Sequence, residues 1–342
     1  MNVFLLRRCL WAALLLPFLA GCGDKAQTQT TARGDEVFGT QVSVVINDIP
    51  EAEATEIIGE VFAHWRNMNT QFHAWKGDGE LVEINRAMDE QRLPVTVSES
   101  MATAISLAVT YSWHTNGNFN PAAGRLFALW GFHSDSLPAR PPPEDELAAY
   151  LAKQPDMRDV DLRERVLVGA PLQTKFDFGA LIKGVALDNA RDILRSHNVK
   201  NALIVTGGNI MVLGENHGRP WRIRLHPSNY HVSLADGEAV ATSGGNPRYF
   251  EYEGRRYTHI LDTRTGQSAD NIAAATAISS DPKHAGAISD AASTALVIAN
   301  EEQAEYMIDN FKLAAGLQVA GEGESLMWAG MEARIRADKE SQ

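Results

Sequence analysis

Between residues 201 and 260 the chain reads as one strand after another, with no helical stretch between them. Residues 201–206 and 210–213 flank a tight Gly207-Gly208 turn, strands at 221–226, 232–234 and 238–241 follow, and 248–260 reads as a hairpin. Asp236-Gly237 and Glu253-Gly254 are the turn signals. Strands that arrive in runs, without regular alternation with helices, predict an α+β fold built on antiparallel sheet. Gly207-Gly208-Asn209 does not have the spacing of a dinucleotide-binding glycine fingerprint, which removes a Rossmann reading.

Helical periodicity sits outside this block. Asp48-Ile49-Pro50-Glu51 opens a helix whose repeating face carries Ile57, Ile58, Val61, Phe62, Trp65 and Met68. A second starts at Ser98-Glu99 and stops near Asn116-Gly117, a left-handed stop signal. Further helices are expected at about 144–153 after the proline-rich stretch 138–143, at 181–196, at 284–300 and at 302–311. A strand at 42–46, a strand-turn-strand at 158–168 and a final strand pair complete the pattern. With 342 residues and 44% hydrophobic content there is material for a substantial core. The net charge of −12, with no basic run, excludes a general nucleic-acid binder.

Arg7 and Arg8 precede an apolar stretch from Leu10 to Ala20, too short to span a bilayer and suited to a signal h-region. It ends Leu19-Ala20-Gly21-Cys22, which resembles a bacterial lipobox with Cys22 as the lipidated residue; a short membrane segment holding a chance cysteine is the plainer alternative. The division expected is a leader at 1–21, a flexible polar tether at 22–34 and a folded body at 35–336. Cys9 and Cys22 are the two cysteines, so the mature body relies on no disulfide.

Three segments can carry chemistry. Asp290 and Thr294 are one helical turn apart, so a carboxylate and a hydroxyl project from one face, as a hard cation requires; a solvated face has the same spacing. Phe176-Asp177-Phe178-Gly179-Ala180-Leu181-Ile182-Lys183-Gly184 sets a carboxylate and glycines at a loop-to-helix junction, where free backbone groups meet a ligand or a plain N-cap is formed. In residues 258–266, His259 stands near Asp262 and Arg264 beside a turn glycine. His259 can accept a proton if its pKa lies near neutrality; alternatively the segment is a hairpin end with an Asp/Arg pair.

Taken in order, these segments resemble the FAD:protein FMN transferases of the ApbE family. The resemblance runs through Phe38-Gly39-Thr40, Gly79-Glu80-Leu81 and Asn85, Gly117-Asn118-Phe119-Asn120-Pro121, and Leu129-Trp130-Gly131-Phe132. It continues through Asp177-Phe178-Gly179, Lys183-Gly184, Gly207-Gly208-Asn209-Ile210, Thr242-Ser243-Gly244, Arg248-Tyr249-Phe250 and residues 259–266 to Asp290 and Thr294. It implies an α+β fold. It also implies Mg2+ held by Asp290, Thr294 and the Ala180 carbonyl, and an FAD site lined by Phe38, Trp75, Asn118, Phe119, Asn120, Asp177, Lys183 and Leu261. His259 as catalytic base is an inference from its place in the 258–266 loop. This chain has Phe38 where methionine is common, Trp75 where tyrosine is, Asn120 where aspartate is, and Ser293 where some relatives carry a second metal-binding aspartate.

The activity implied is transfer of FMN from FAD to a Ser or Thr hydroxyl of an acceptor protein, with release of AMP. The acceptor would carry a D-x-x-[ST]-G-A-[ST]-like motif and belong with envelope electron-transfer proteins, and the enzyme would face the periplasm on its lipid anchor. A Mg2+-dependent FAD pyrophosphatase and a non-catalytic flavin-binding lipoprotein are the alternatives. Residues 262–268 themselves resemble the acceptor motif, with Gln267 in place of alanine, but sit in the expected site.

Overall fold

The computed structural model describes residues 29–134, 136–244, 248–269, 272–320 and 325–337. The leader, Cys22 and the first part of the expected tether lie outside them.

Alternating burial along Thr40–Asn47, with Val42, Val44 and Ile46 inside, places that strand one position in from the edge of an eight-stranded sheet. In spatial order the strands are Thr30–Val37, Thr40–Asn47, Asn201–Thr206, Asn209–Leu213, Ala239–Gly244, Ile272–Ser279, Ala315–Ala320 and Ser325–Trp328. Each pairs antiparallel with its neighbour. The α+β expectation is therefore met. The tether boundary is corrected: Thr30–Gly34 already pair with Asn47–Ser43, so the edge strand starts inside the segment read as flexible. Its polar composition suits an exposed edge, which is why it passes for linker.

Helices α1 (Glu51–Phe72), α2 (Glu80–Asp89), α3 (Glu99–His114), α6 (Ile182–Ser196), α7 (Ala285–Val297) and α8 (Glu301–Phe311) share the main core with one face of the sheet, while the short α4 (Gly124–Leu129) and α5 (Glu144–Leu151) border a satellite cluster. The face expected for α1 is the buried one. Ser98 caps α3 by accepting from Met101 N, and Asn116 and Gly117 leave it with φ of 47° and 83°. The other sheet face is covered by the strands Trp221–Leu225, Tyr230–Leu234 and Ile335–Ala337, which bury Trp221, Ile223, Leu225, Val232 and Leu234 against Val212, Val240, Ile278 and Leu317. A smaller aromatic cluster holds Trp130, Phe132, Phe250 and Leu261.

Two helices meet without side chains between them. A Cβ on Gly184 of α6 would lie 2.2 Å from the Gly286 carbonyl oxygen of α7, and one on Gly286 2.3 Å from that of Gly184. The seam is pinned by Asp188, whose Oδ1 accepts from Gly286 N and Oδ2 from Ala287 N, each at 2.9 Å. The carboxylate thereby satisfies two of the donors that a helix N-terminus leaves open. Arg191 lies 3.3 Å from Asp188 Oδ1 and donates to Lys283 O at 2.7 Å. Burial pushes Asp188 up to about 7, against the two N–H donors and the guanidinium, which favour the charged form.

Candidate active site

The Phe38-Gly39 and Gly207-Gly208 turns lie at the same end of the sheet, beside one another: Gly207 N donates to Gln41 O at 3.0 Å. They border a cavity of about 1090 Å³. Val37 pairs with Thr40, so Phe38-Gly39 is a two-residue hairpin loop, with φ of 57° and 67°. That is the doubly left-handed form such loops favour, and phenylalanine tolerates it poorly, so a strained backbone carries the Phe38 ring at the cavity. Phe38, Trp75, Asn118, Phe119, Asn120, Asp177, Ala180, Lys183, His259, Leu261, Asp290 and Thr294 all line this one cavity. Cys22 is outside the described residues.

The α6–α7 seam builds the charged wall. One turn along α7 from Gly286, Asp290 is 1% exposed, and its Oδ2 accepts from Gly184 N at 3.0 Å. That N–H is the donor a continuing helix would return to Ala180 O, so the Ala180 carbonyl loses its helical partner. Lys183 Nζ stands 3.5 Å from Asp290 Oδ1 and donates to Gly179 O at 2.5 Å. Thr294 Oγ1 donates to Asp290 O at 3.1 Å and lies 3.1 Å from Ser243 Oγ. Among the described residues no three His, Cys, Asp or Glu side chains cluster. The donor set on offer is one carboxylate, one hydroxyl and one carbonyl, all hard oxygens, which fits a cation that keeps positions for water and phosphate. Ser293, in place of a second carboxylate, donates to Asp290 O at 3.0 Å and meets Ser243 Oγ at 2.8 Å.

The rest of the lining is mixed. Trp75 Nε1 donates to Asp177 Oδ2 at 2.9 Å, while Asp177 Oδ1 accepts from Gly179 N at 2.9 Å, so one carboxylate ties the aromatic loop to the start of α6. Lys175 Nζ lies 5.0 Å from the Trp75 ring centroid and the His133 ring 5.1 Å from it, contacts that a stacking ligand would compete with. Asn118 is 4% exposed and its Oδ1 has no partner, an orphaned acceptor on a ligand-sized cavity. Phe119 and Leu261 line the wall from within, 3% and 5% exposed. Asn120 is on the cavity, and its amide ties its loop to the 155–157 segment: Nδ2 donates to Pro155 O at 2.9 Å, and Oδ1 accepts from Ala122 N and Met157 N.

His259 departs from the condition set for it. Its pKa is lowered to about 4 by burial, with the Arg248 and Lys183 charges adding to that and the Arg248 carbonyl opposing it. The ring is neutral at pH 7, with Nδ1 at 3.2 Å from Arg248 O as the donor; Nε2 is then the basic nitrogen. Asp262 and Arg264 do form an ion pair, at 2.8 Å, so the hairpin-end reading of that segment also holds.

Sequence reasoning missed Asp188 and Gly286, whose roles exist only where two helices meet, and gave no role to Asn209 or Ser243, although both stood in segments it marked.

A model of the ApbE family matches residues 38–317. An FAD:protein FMN transferase of Rhodobacter capsulatus is 33% identical over 88% of this chain, which spans 57% of that relative's length. One of Treponema pallidum is 30% identical, over 72% of this chain and 74% of the relative. The crystal structure of the ApbE protein of Thermotoga maritima superposes with a TM-score of 0.77 at 28% identity, covering 90% of this chain and all of that one. With the family pattern matched from the strained hairpin at Phe38 past the α7 carboxylate, the chain belongs to the ApbE family, a family of flavin transferases.

Proposed function

We propose that the chain is a FAD:protein FMN transferase: the FMN phosphorus of FAD is attacked by a Ser or Thr hydroxyl of an acceptor protein, a new phosphoester forms, and the bond to AMP breaks. The observation that carries this reading is the pairing, on one cavity, of the buried Asp290 carboxylate, the Thr294 hydroxyl and the Ala180 carbonyl with the orphaned amide oxygen of Asn118. Asp290, Thr294 and Ala180 O would hold Mg2+. When bound, that ion supplies neutralisation of diphosphate charge and of the charge developing on the departing AMP. Lys183 supplies a second, fixed positive charge beside the same wall. Phe38 and Trp75 offer ring faces to a flavin or adenine, and Asn118 Oδ1 offers an acceptor to a ring N–H.

His259 receives the incoming hydroxyl at Nε2 and takes its proton as the phosphoester forms, and the negative diphosphate raises its basicity from the low value that burial imposes. The acceptor carries a D-x-x-[ST]-G-A-[ST]-like sequence and belongs with electron-transfer proteins of the cell envelope. Lipidation at Cys22 holds the enzyme at the periplasmic side of a membrane.

The test is incubation of purified protein with FAD, with and without Mg2+, and with and without a protein bearing that motif. Acceptor-dependent AMP release with a flavin-fluorescent acceptor band supports transfer. AMP release that ignores the acceptor indicates a pyrophosphatase, and FAD binding without AMP release indicates a carrier.

A further inference from the structure

A buried amide kept for structure has partners for both its ends. Asn85 does: Nδ2 donates to Phe176 O at 3.0 Å and Oδ1 accepts from Phe176 N at 2.7 Å. Asn209 does not. It is 2% exposed, lines the cavity, and its Nδ2 is buried with no partner. Its surroundings follow from register. Asn209 pairs with Thr206 on one side and Ala241 on the other, and directly opposed residues project to the same sheet face. The Thr206 hydroxyl on that face donates to Lys183 O at 3.1 Å, and Ser243, two residues beyond Ala241, meets Thr294 at 3.1 Å. The Asn209 side chain thus faces the α6–α7 wall, between Lys183 and the Ser243–Thr294 pair.

We infer that Asn209 is a substrate-contacting residue whose Nδ2 donates to an anionic phosphoryl oxygen of the bound dinucleotide. This rests on the flavin-transferase reading for the identity of that dinucleotide. The neighbouring Asp290 carboxylate and Ala180 carbonyl can only accept, and the Thr294 hydroxyl already gives its hydrogen to Asp290 O. A donor that is buried without a protein partner meets charge there without first giving one up.

The experiment compares Asn209→Ala and Asn209→Asp with the parent protein. Three readouts are taken: melting temperature without ligand, affinity for ADP and for riboflavin, and AMP release from FAD with Mg2+ and acceptor. Removing an unpartnered buried donor relieves the fold, so Asn209→Ala should melt at or above the parent temperature. It should bind ADP roughly 10-fold more weakly and riboflavin unchanged, and release AMP about 100-fold more slowly. Asn209→Asp should bind ADP more weakly still, since it sets a carboxylate against phosphate.

A lowered melting temperature with unchanged ADP affinity per folded molecule would make Asn209 structural and overturn the inference. Loss of riboflavin affinity in place of ADP affinity would move the contact to the flavin ring and overturn it equally. Should the parent protein release no AMP from FAD, the transferase reading fails by itself, and the ADP and riboflavin affinities still decide what Asn209 contacts.

Discussion

Asp290 Oδ2 holds the Gly184 N–H while Oδ1 faces Lys183, so its two oxygens serve the fold and the charge balance separately. Asp290→Asn can keep an oxygen for Gly184 and removes the negative charge. Its melting temperature should stay close to the parent's, while AMP release falls about 100-fold or more across a Mg2+ titration. Asp290→Ala should lose activity as well and also strand the buried Gly184 N–H, costing roughly 1–3 kcal/mol in a denaturant titration. Activity that survives Asp290→Asn at low Mg2+ would remove Asp290 from the metal set. His259 gives a pH test of definite sign. Its folded pKa of about 4 lies below the usual imidazole value, so the unfolded chain binds the extra proton first as pH falls. Stability from this residue is fully present above about pH 6.5 and is lost as pH drops towards about 4. Melting curves of the parent and His259→Asn, taken between those limits, should converge as the pH falls.

The site depends on elements that differ in how plainly the chain announces them. Helix α1 was legible because its buried residues recur at helical spacing, and the turns at Asp236-Gly237 and Glu253-Gly254 because glycine takes a positive φ at each. The strand Ile272–Ser279 was not, since it lies between two strands, is buried mainly on both faces and is rich in alanine, leaving no alternation to read. Helix α2 was not legible either; it is short, and its N-cap Gly79 has no side chain to cap it. The α6–α7 seam was invisible for another reason: Gly184 and Gly286 are far apart in sequence, and neither marks a turn. Gly184→Ala should force those helices apart, because the added methyl would fall 2.2 Å from a backbone oxygen. We expect a loss of about 1–3 kcal/mol or more in stability and a weaker Mg2+ dependence of whatever activity remains. An unchanged melting temperature would show that the seam can relax.

For the molecule as a whole, the chemistry-bearing residues named from the sequence do line one cavity, although they come from six stretches far apart along the chain. Order of motifs carried that information; geometry did not, which is why the tie of the Asn120 amide to the 155–157 segment could not be read. Among the described residues no helix is long and apolar enough to cross a membrane, so the anchoring proposed here rests on Cys22. From Cys22 to the first sheet residue, Thr30, a fully extended chain reaches roughly 25–30 Å. Cys22→Ala should leave transfer activity per molecule unchanged and move the protein from the membrane to the soluble fraction. A variant that still sediments wholly with membranes would count against lipid anchoring.

The contact of Gly184 with Gly286 has one more consequence. Where side chains separate two helices, rotamer changes let the gap breathe; here backbone atoms touch and the gap is set by atomic radii. In the proposed metal site the seam would therefore fix the spacing of the Asp290 carboxylate and the Ala180 carbonyl. A fixed spacing discriminates by size: Ca2+ takes oxygens about 0.3–0.5 Å farther away than Mg2+ does and asks for more of them. A pair of helices that cannot part further, or close further, would favour the smaller ion without any side chain being dedicated to the choice.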